Sequence, residues 1–259
     1  MRVTFLGTGT SQGVPVIGCA CPVCTSPDPR DDRLRVSVLV ETGGRSLLID
    51  AGPDLRQQLL RAGVKDLDAV LLTHEHTDHM LGMDDLRPIS FAHQPSKAVP
   101  IYADEPTRRA VRRVYDYAFV EPKYPGVPEF DLRSIPRAAF DVEGIEVIPV
   151  EVMHLRMPVL GFRIGAFAYI TDAKTIAPQE LDKLRGVDTL VLNALREQPH
   201  YSHLNIAEAM AIVEEVRPRQ AWFTHVSHLM GPHAAMNARL PAYAQLAHDG
   251  LVIDVPDQR

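Results

Sequence analysis

The sequence predicts an α/β protein of one domain over residues 1–259, a four-layer αββα sandwich. Two observations carry that expectation. Short apolar or β-branched runs recur in both halves of the chain, and segments of helical period follow several of them. No linker, low-complexity stretch or short repeat separates the halves, so two sheets packed face to face, each covered by helices, account for the pattern better than two domains.

Composition narrows the class. Hydrophobic residues make up 46% and charged residues 23%, which excludes disorder, and no apolar run approaches the roughly 20 residues of a membrane span. Met1–Leu6 lacks the apolar core of a signal peptide and reads as a first strand, so the cytoplasm is the expected compartment. A net charge of −6 argues against a partner that presents a long phosphate backbone, and nucleic acid is not the expected ligand. A homodimer is compatible with this composition.

After the first strand, Gly7-Thr8-Gly9-Thr10-Ser11-Gln12-Gly13 forms a glycine-rich loop without the Lys-Ser/Thr or the following helix of a phosphate-binding loop. Cys19-x-Cys21-x-x-Cys24 holds all 3 cysteines of the chain. A disulfide at that spacing is strained and a reducing compartment disfavours it, so the thiols read as ligands of a structural zinc that needs a fourth partner. Leu34–Val40 and Arg45–Ile49 flank Gly43-Gly44 as a hairpin. Pro53 opens a helix to about Ala62, ended by Gly63.

The apolar run Asp68–Leu72 then leads into Thr73-His74-Glu75-His76-Thr77-Asp78-His79. This sets three histidines and an aspartate just beyond a buried strand. His74 and His76 are spaced to bind one ion together, while Asp78 and His79 can reach a second ion about 3.5–4 Å away. A helix beginning at Met80 and limited by Pro88, a strand over Ala98–Ala103 and a basic helix over Glu105–Tyr117 follow. The arginines 108, 109, 112 and 113 of that helix form either a solvated face or a phosphate-facing rim. Glu121–Pro128 reads as a loop that could cover the site.

In the second half, Ile145–Val152 leads to His154, Val159–Ile164 and Phe167–Thr171 pair around Gly165 and lead to Asp172, and a helix covers Pro178–Leu184. The strand Thr189–Asn193 precedes an amphipathic helix opened by Asn205, with Glu208 three residues on as in a capping box. Ala221–Thr224 is the strand before His225.

His-x-His-x-Asp-His after a Val-Leu-Leu-Thr strand resembles the signature of the metallo-β-lactamase fold superfamily. The resemblance implies that His74, His76 and His154 hold one metal and Asp78, His79 and His225 the other, with Asp172 bridging. Asp50 would then orient the histidine cluster from behind. His76 stands where diiron oxidoreductases of this fold carry glutamate, and Glu75 is one position too early for that pattern. Such a site implies two divalent ions, zinc, manganese or iron, and a bridging water whose pKa falls toward about 7, suited to phosphodiesters. Asp78 thus serves catalysis as well as ligation. His203, or His200 just before it, resembles the histidine that phosphodiesterases of this superfamily use to protonate the leaving group, and His203 is preferred because the Leu-Asn helix start fixes its position. His228, three residues beyond His225, is the expected fourth zinc ligand, with His233 the alternative.

Gly7-Thr8-Gly9, Gln12-Gly13-Val14-Pro15, the cysteines, the seven ligands and Thr224-His225-x-Ser227-His228 together resemble the cyclic phosphodiesterases of the carbon-phosphorus lyase pathway, which open phosphoribosyl cyclic phosphate. The implied substrate is a small phosphodiester cleaved by a metal-bound hydroxide. Two other readings share the frame. One is a transfer-RNA 3′ processing endonuclease, whose RNA-gripping arm has no counterpart here; the other is a non-hydrolytic relative in quinone-cofactor biosynthesis with a similar cysteine zinc.

Overall fold

The computed structural model describes residues 1–93, 95–124 and 126–256. In chain order the first half contains β1 (Arg2–Gly7), β2 (Ser37–Thr42), β3 (Arg45–Ile49), α1 (Leu55–Ala62), β4 (Ala69–Leu71), α2 (Thr77–Met80), α3 (Arg87–Phe91), β5 (Val99–Ala103), α4 (Glu105–Val114) and β6 (Phe130–Ser134). The second half contains β7 (Phe140–Val142), β8 (Ile145–His154), β9 (Met157–Ile164), β10 (Phe167–Ile170), β11 (Thr175–Ile176), α5 (Pro178–Asp182), β12 (Thr189–Asn193), α6 (Ile206–Val216), β13 (Gln220–Thr224), α7 (His233–Asn237), β14 (Ala244–Leu246) and β15 (Val252–Asp254). One sheet runs β15-β1-β2-β3-β4-β5-β6 and the other β11-β8-β9-β10-β12-β13-β14, with β7 added on β8.

Alternation along the strands sorts side chains into layers. Val3, Phe5, Leu47, Ile49, Ala69 and Leu71 face Phe162, Ile164, Phe167, Tyr169 and Val191 between the sheets. Leu6, Leu48, Val70 and Leu72 face the other way, against Leu55 and Leu59 of α1 and Val111 of α4. On the far side, Ala168, Ile170, Leu190 and Leu192 meet Ala209 and Val213 of α6. The result is the expected αββα sandwich, in which each fully buried Phe contributes about 1.5–3 kcal/mol. None of its helices is long and apolar enough to cross a membrane among the described residues.

Local chemistry explains most boundaries. Gly43 and Gly44 have φ of 57° and 75°, the left-handed pair that a two-residue hairpin turn requires. Asp54 precedes α1 without capping it, because its carboxylate takes the Arg35 amide and guanidinium instead. Pro88 does not limit a helix begun at Met80. Instead, α2 stops at Met80, a 3-10 turn spans Met83–Leu86, and Pro88 occupies the first turn of α3, where its missing N–H costs nothing. The basic helix ends at Val114 rather than Tyr117. Pro125, inside the expected covering loop, and Gln94, beside His93, lie outside the described residues.

Four neighbouring strands in each sheet run parallel, β3-β4-β5-β6 and β10-β12-β13-β14. Their carboxyl ends gather the polar segments, the usual place for a site in open α/β sheets.

Candidate metal centre

Asp50 follows β3 and is fully buried, with φ of 63°, a left-handed conformation that favours glycine. Its carboxylate accepts hydrogen bonds from the Thr73 amide and hydroxyl, both at 2.9 Å, and lies 2.7 Å from His79 Nδ1. Donation from Nδ1 fixes the ring of His79 and turns Nε2 toward the site. That nitrogen lies 3.2 Å from Asp78 Oδ2 and 3.3 Å from Asp172 Oδ2. The single turn of α2 carries Asp78 and His79 and packs backbone to backbone on Gly52: a Cβ there would come within 2.0 Å of the Asp78 carbonyl oxygen. Only glycine permits that approach.

The second sheet supplies the rest. His154, the last residue of β8, has Nδ1 3.1 Å from the Asp172 carbonyl oxygen. Asp172 and His225 follow β10 and β13 with φ of 57° and 56°. Both are buried, and His225 Nε2 lies 3.4 Å from Asp172 Oδ1. Asn193, at the end of β12, clasps Ala173 through both its amide atoms at 2.8 and 2.9 Å and so fixes the residue after Asp172. Sequence reasoning passed over Asn193; a buried amide closing an apolar strand was the available signal.

Ligand atoms fall into groups that could hold metal: His74, His79 and Asp172; His76, His154 and Asp172; Asp78, His79 and His225; and Asp172, His203 and His225. His74 Nε2, His79 Nε2, both ring nitrogens of His225 and His203 Nδ1 are buried without a hydrogen-bond partner among the described residues. Buried nitrogens left unpaired beside carboxylate oxygens cost stability unless something binds them, and imidazole with carboxylate is a donor set that divalent metals accept. Burial drives the His74 imidazole well below its usual range. Burial opposes charge on His79 and Asp172 too, but their mutual attraction and the surrounding opposite charges prevail, holding His79 well above and Asp172 well below their usual ranges.

His203 and His200 separate here. His203 is buried before α6, whose capping box is complete between Asn205 and Glu208, and Leu204 is pinned by its amide to the Ala173 carbonyl at 2.8 Å. Its Nδ1 lies 3.7 Å from Asp172 Oδ1, and its ring centroid is 4.5 Å from that of His154 and 4.7 Å from that of His225. Burial and the neighbouring His225 push His203 down to about 3. His200 stands one ring further out, 5.2 Å from His203, and is engaged by Ser202. A cavity of about 290 Å³ opens over His76 and His154, walled by Leu155, Arg156, Met157, Tyr201 and Ser202. A larger cavity of about 630 Å³, lined by Arg2, Leu39, Arg61 and Lys65 among others, contains none of these groups.

The cysteines meet His228. Its Nδ1 lies 3.3, 3.4 and 3.5 Å from the Sγ atoms of Cys19, Cys21 and Cys24. Tetrahedral zinc with Zn–S of about 2.3 Å and Zn–N of about 2.0 Å has N···S edges of roughly 3.5 Å, so the spacing fits that ion. The Cys24 amide and His228 together lower the Cys21 thiol to about 6, while burial raises Cys24 to about 11. His233 stands elsewhere, with Nδ1 3.0 Å from the Arg33 guanidinium. The bridge from Gly9 to Val226 lays the glycine-rich loop beside the segment that carries His225 and His228. On α4, Arg108 and Arg109 pair with Glu105, and the Arg112 guanidinium lies over the Phe119 ring.

A profile of the family described as "Beta-lactamase superfamily domain" matches residues 45–226. A new diphosphatase from the PhnP family, known from its crystal structure, is 42% identical and superposes with a TM-score of 0.92, covering 99% of this chain and 98% of its own. A protein of Porphyromonas gingivalis named octanoyltransferase is 40% identical over 254 residues, 97% of this chain and 51% of its own, so the chain spans about half the length of that relative. Ribonuclease Z of Mycobacterium bovis is 27% identical over 264 residues, 90% of this chain and 88% of its own.

Proposed function

We propose, from the premise that this chain belongs to the metallo-β-lactamase superfamily, that it is a metal-dependent phosphodiesterase of small substrates, with a cyclic phosphodiester such as phosphoribosyl cyclic phosphate the first candidate. The observation that carries the reading is the convergence of His74, His76, Asp78, His79, His154 and His225 on Asp172, with buried nitrogens left unpaired among them. His74, His76 and His154 would hold one ion and Asp78, His79 and His225 a second, with Asp172 between. Two divalent cations held there would supply a water with pKa of about 7 and would offset the charge that develops on phosphorus. Zinc, manganese and iron all suit this donor set.

The chain's own residues set up the chemistry. Asp50, the Asp172 carbonyl and Thr73 each hold one histidine ring by its Nδ1, so that the opposite nitrogen is presented to the site. His203, inside the cluster and beside the cavity wall at Ser202, donates the proton that the departing alkoxide needs. Burial keeps its imidazole neutral when free, and the negative charge of the bound phosphodiester raises its affinity for that proton. Cys19, Cys21, Cys24 and His228 would hold a third, structural zinc outside the reaction.

A cavity of about 290 Å³ suits a small ligand and gives no track for a polynucleotide, which weighs against the ribonuclease reading. Octanoyl transfer belongs to a relative twice as long, and every thiol that could carry an acyl group here lies in the His228 cluster. The test is metal analysis and hydrolysis of bis(p-nitrophenyl) phosphate by the wild type and by Asp172→Ala. The substitution should abolish activity and lower bound metal; full activity in a metal-depleted Asp172→Ala protein would overturn the reading.

A further inference from the structure

His203 differs from the histidines around it in having no anchor on its ring. His74, His79 and His154 each have Nδ1 beside an oxygen, of Thr73, Asp50 and Asp172 in turn. His203 Nδ1 is buried without a hydrogen-bond partner among the described residues, so packing and its own backbone set its place. That backbone is held at the next residue, on both sides. The Leu204 amide donates to the Ala173 carbonyl at 2.8 Å, and the Leu204 carbonyl accepts from the Leu195 amide at 2.9 Å.

Asn193 closes these contacts into a ring. Fully buried at the end of β12, it accepts from the Ala173 amide through Oδ1 at 2.8 Å and donates through Nδ2 to the Ala173 carbonyl at 2.9 Å, the same oxygen that takes the Leu204 amide. Two residues further along the chain stands Leu195, the other partner of Leu204. Hydrogen bonds thus run from Asn193 to Ala173, on to Leu204 and on to Leu195, and the chain itself returns to Asn193. Ala173 follows Asp172 and Leu204 follows His203, so the ring ties the candidate bridging ligand to the candidate acid, with His203 Nδ1 3.7 Å from Asp172 Oδ1. An amide side chain suits this joint because it places a donor and an acceptor side by side without charge.

We propose that Asn193 is a positioning residue for the acid: through Ala173 and Leu204 it holds the His203 ring at a fixed place relative to Asp172, and so relative to the leaving group of an ester bound there. This rests on the phosphodiesterase reading and adds to it a residue that touches neither metal nor substrate. A general acid must lie within hydrogen-bond reach of the oxygen it protonates, so a small displacement of His203 acts on that proton transfer first.

Methyl p-nitrophenyl phosphate and methyl phenyl phosphate share the attacked phosphorus and differ in the basicity of the leaving oxygen. In metal-saturated protein, Asn193→Leu should lower kcat about 10- to 100-fold on the phenyl ester and less than about threefold on the nitrophenyl ester, with KM little changed for either. Loss of folded protein or of metal lowers both rates alike, so the ratio of the two reports the placement of the acid and not stability. Because Asn193 acts through His203, adding Asn193→Leu to His203→Ala should leave that ratio where His203→Ala puts it. Asn193→Ser permits the same comparison with less crowding of the buried site. Amide exchange in the wild type supplies a further reading: Leu204 should be protected to within about tenfold of the β12 amides. Equal losses on both esters in the Asn193 variants, a further change of ratio on the His203→Ala background, or free exchange at Leu204 would overturn the positioning role while leaving the phosphodiesterase reading intact. A metal-loaded wild type that cleaves neither ester would overturn the phosphodiesterase reading, and the positioning role with it.

Discussion

Asp50 and His203 are the two residues whose environments say most about how the centre works. Asp50 is fully buried, and it aims His79 and anchors Thr73 at the same time. Asparagine tolerates the left-handed backbone and keeps the shape, but its amide replaces a carboxylate oxygen facing Nδ1–H or Thr73. Asp50→Asn should therefore fold and hold metal about 10- to 100-fold more weakly, as seen by titration against a competing chelator. Unchanged affinity would mean that His79 needs no orienting partner. For His203 the discriminating quantity is leaving-group basicity. His203→Ala should lower kcat about 10²- to 10⁴-fold on an alkyl phosphodiester and much less on bis(p-nitrophenyl) phosphate, whose phenolate departs without a proton. Equal losses on both would remove its role as an acid.

Among elements, those that repeat a period over several residues were legible in the sequence, and those defined by tertiary pairing were not. β12 has the bounds read from Thr189–Asn193, and α6 starts where Asn205 and Glu208 announce it. β7 and β14 have three residues each, too few to display a period, and β15 exists because β1 offers it an edge. The candidate ligands stood out in the sequence because histidines and aspartates cluster there by type; Asn193 did not, since the one signal it gives, an amide closing an apolar strand, does not say what the amide holds. α7 shows the same limit. His233 at its start joins Arg33 and, through its amide, Asp31, a network that crosses from the cysteine loop to the far end of the chain. Burial, then the Arg33 charge, lower His233 to about 4. Its folded value lies below the unfolded value of about 6.5, so the stability it contributes is present above about 6.5 and is lost as pH falls toward 4, of order 3 kcal/mol in all. Urea unfolding at pH 7 and pH 4.5 should show that loss in the wild type, and a smaller one in His233→Gln. Equal losses would assign the acid sensitivity to other groups.

For the whole molecule, the candidate ligands come from both sheets, since His74 to His79 follow β4 while His154 ends β8 and Asp172 and His225 follow β10 and β13 of the other sheet. Bound ions would join the layers, and the cysteine cluster would join the loop after β1 to the turn after β13. A closed tetrahedron leaves no place for water, so Cys21→Ser should lose one zinc per chain and several degrees of melting temperature, with activity falling only as the fold loosens. Unchanged zinc and melting would show that the cysteines hold nothing. The strand order has a further consequence, for synthesis on the ribosome. β13 and β14 extend the second sheet and β15 returns to cover the free edge of β1, so neither sheet is finished until residues beyond Gln220 have emerged. Until then β12 stands as a bare apolar edge, and His225 and His228 are not yet available to either ligand set. By the proposed assignment the second ion and the structural zinc would be completed only late in synthesis, and the interval before that, with an open edge and unpaired histidines, is when this protein is most dependent on being shielded from its neighbours.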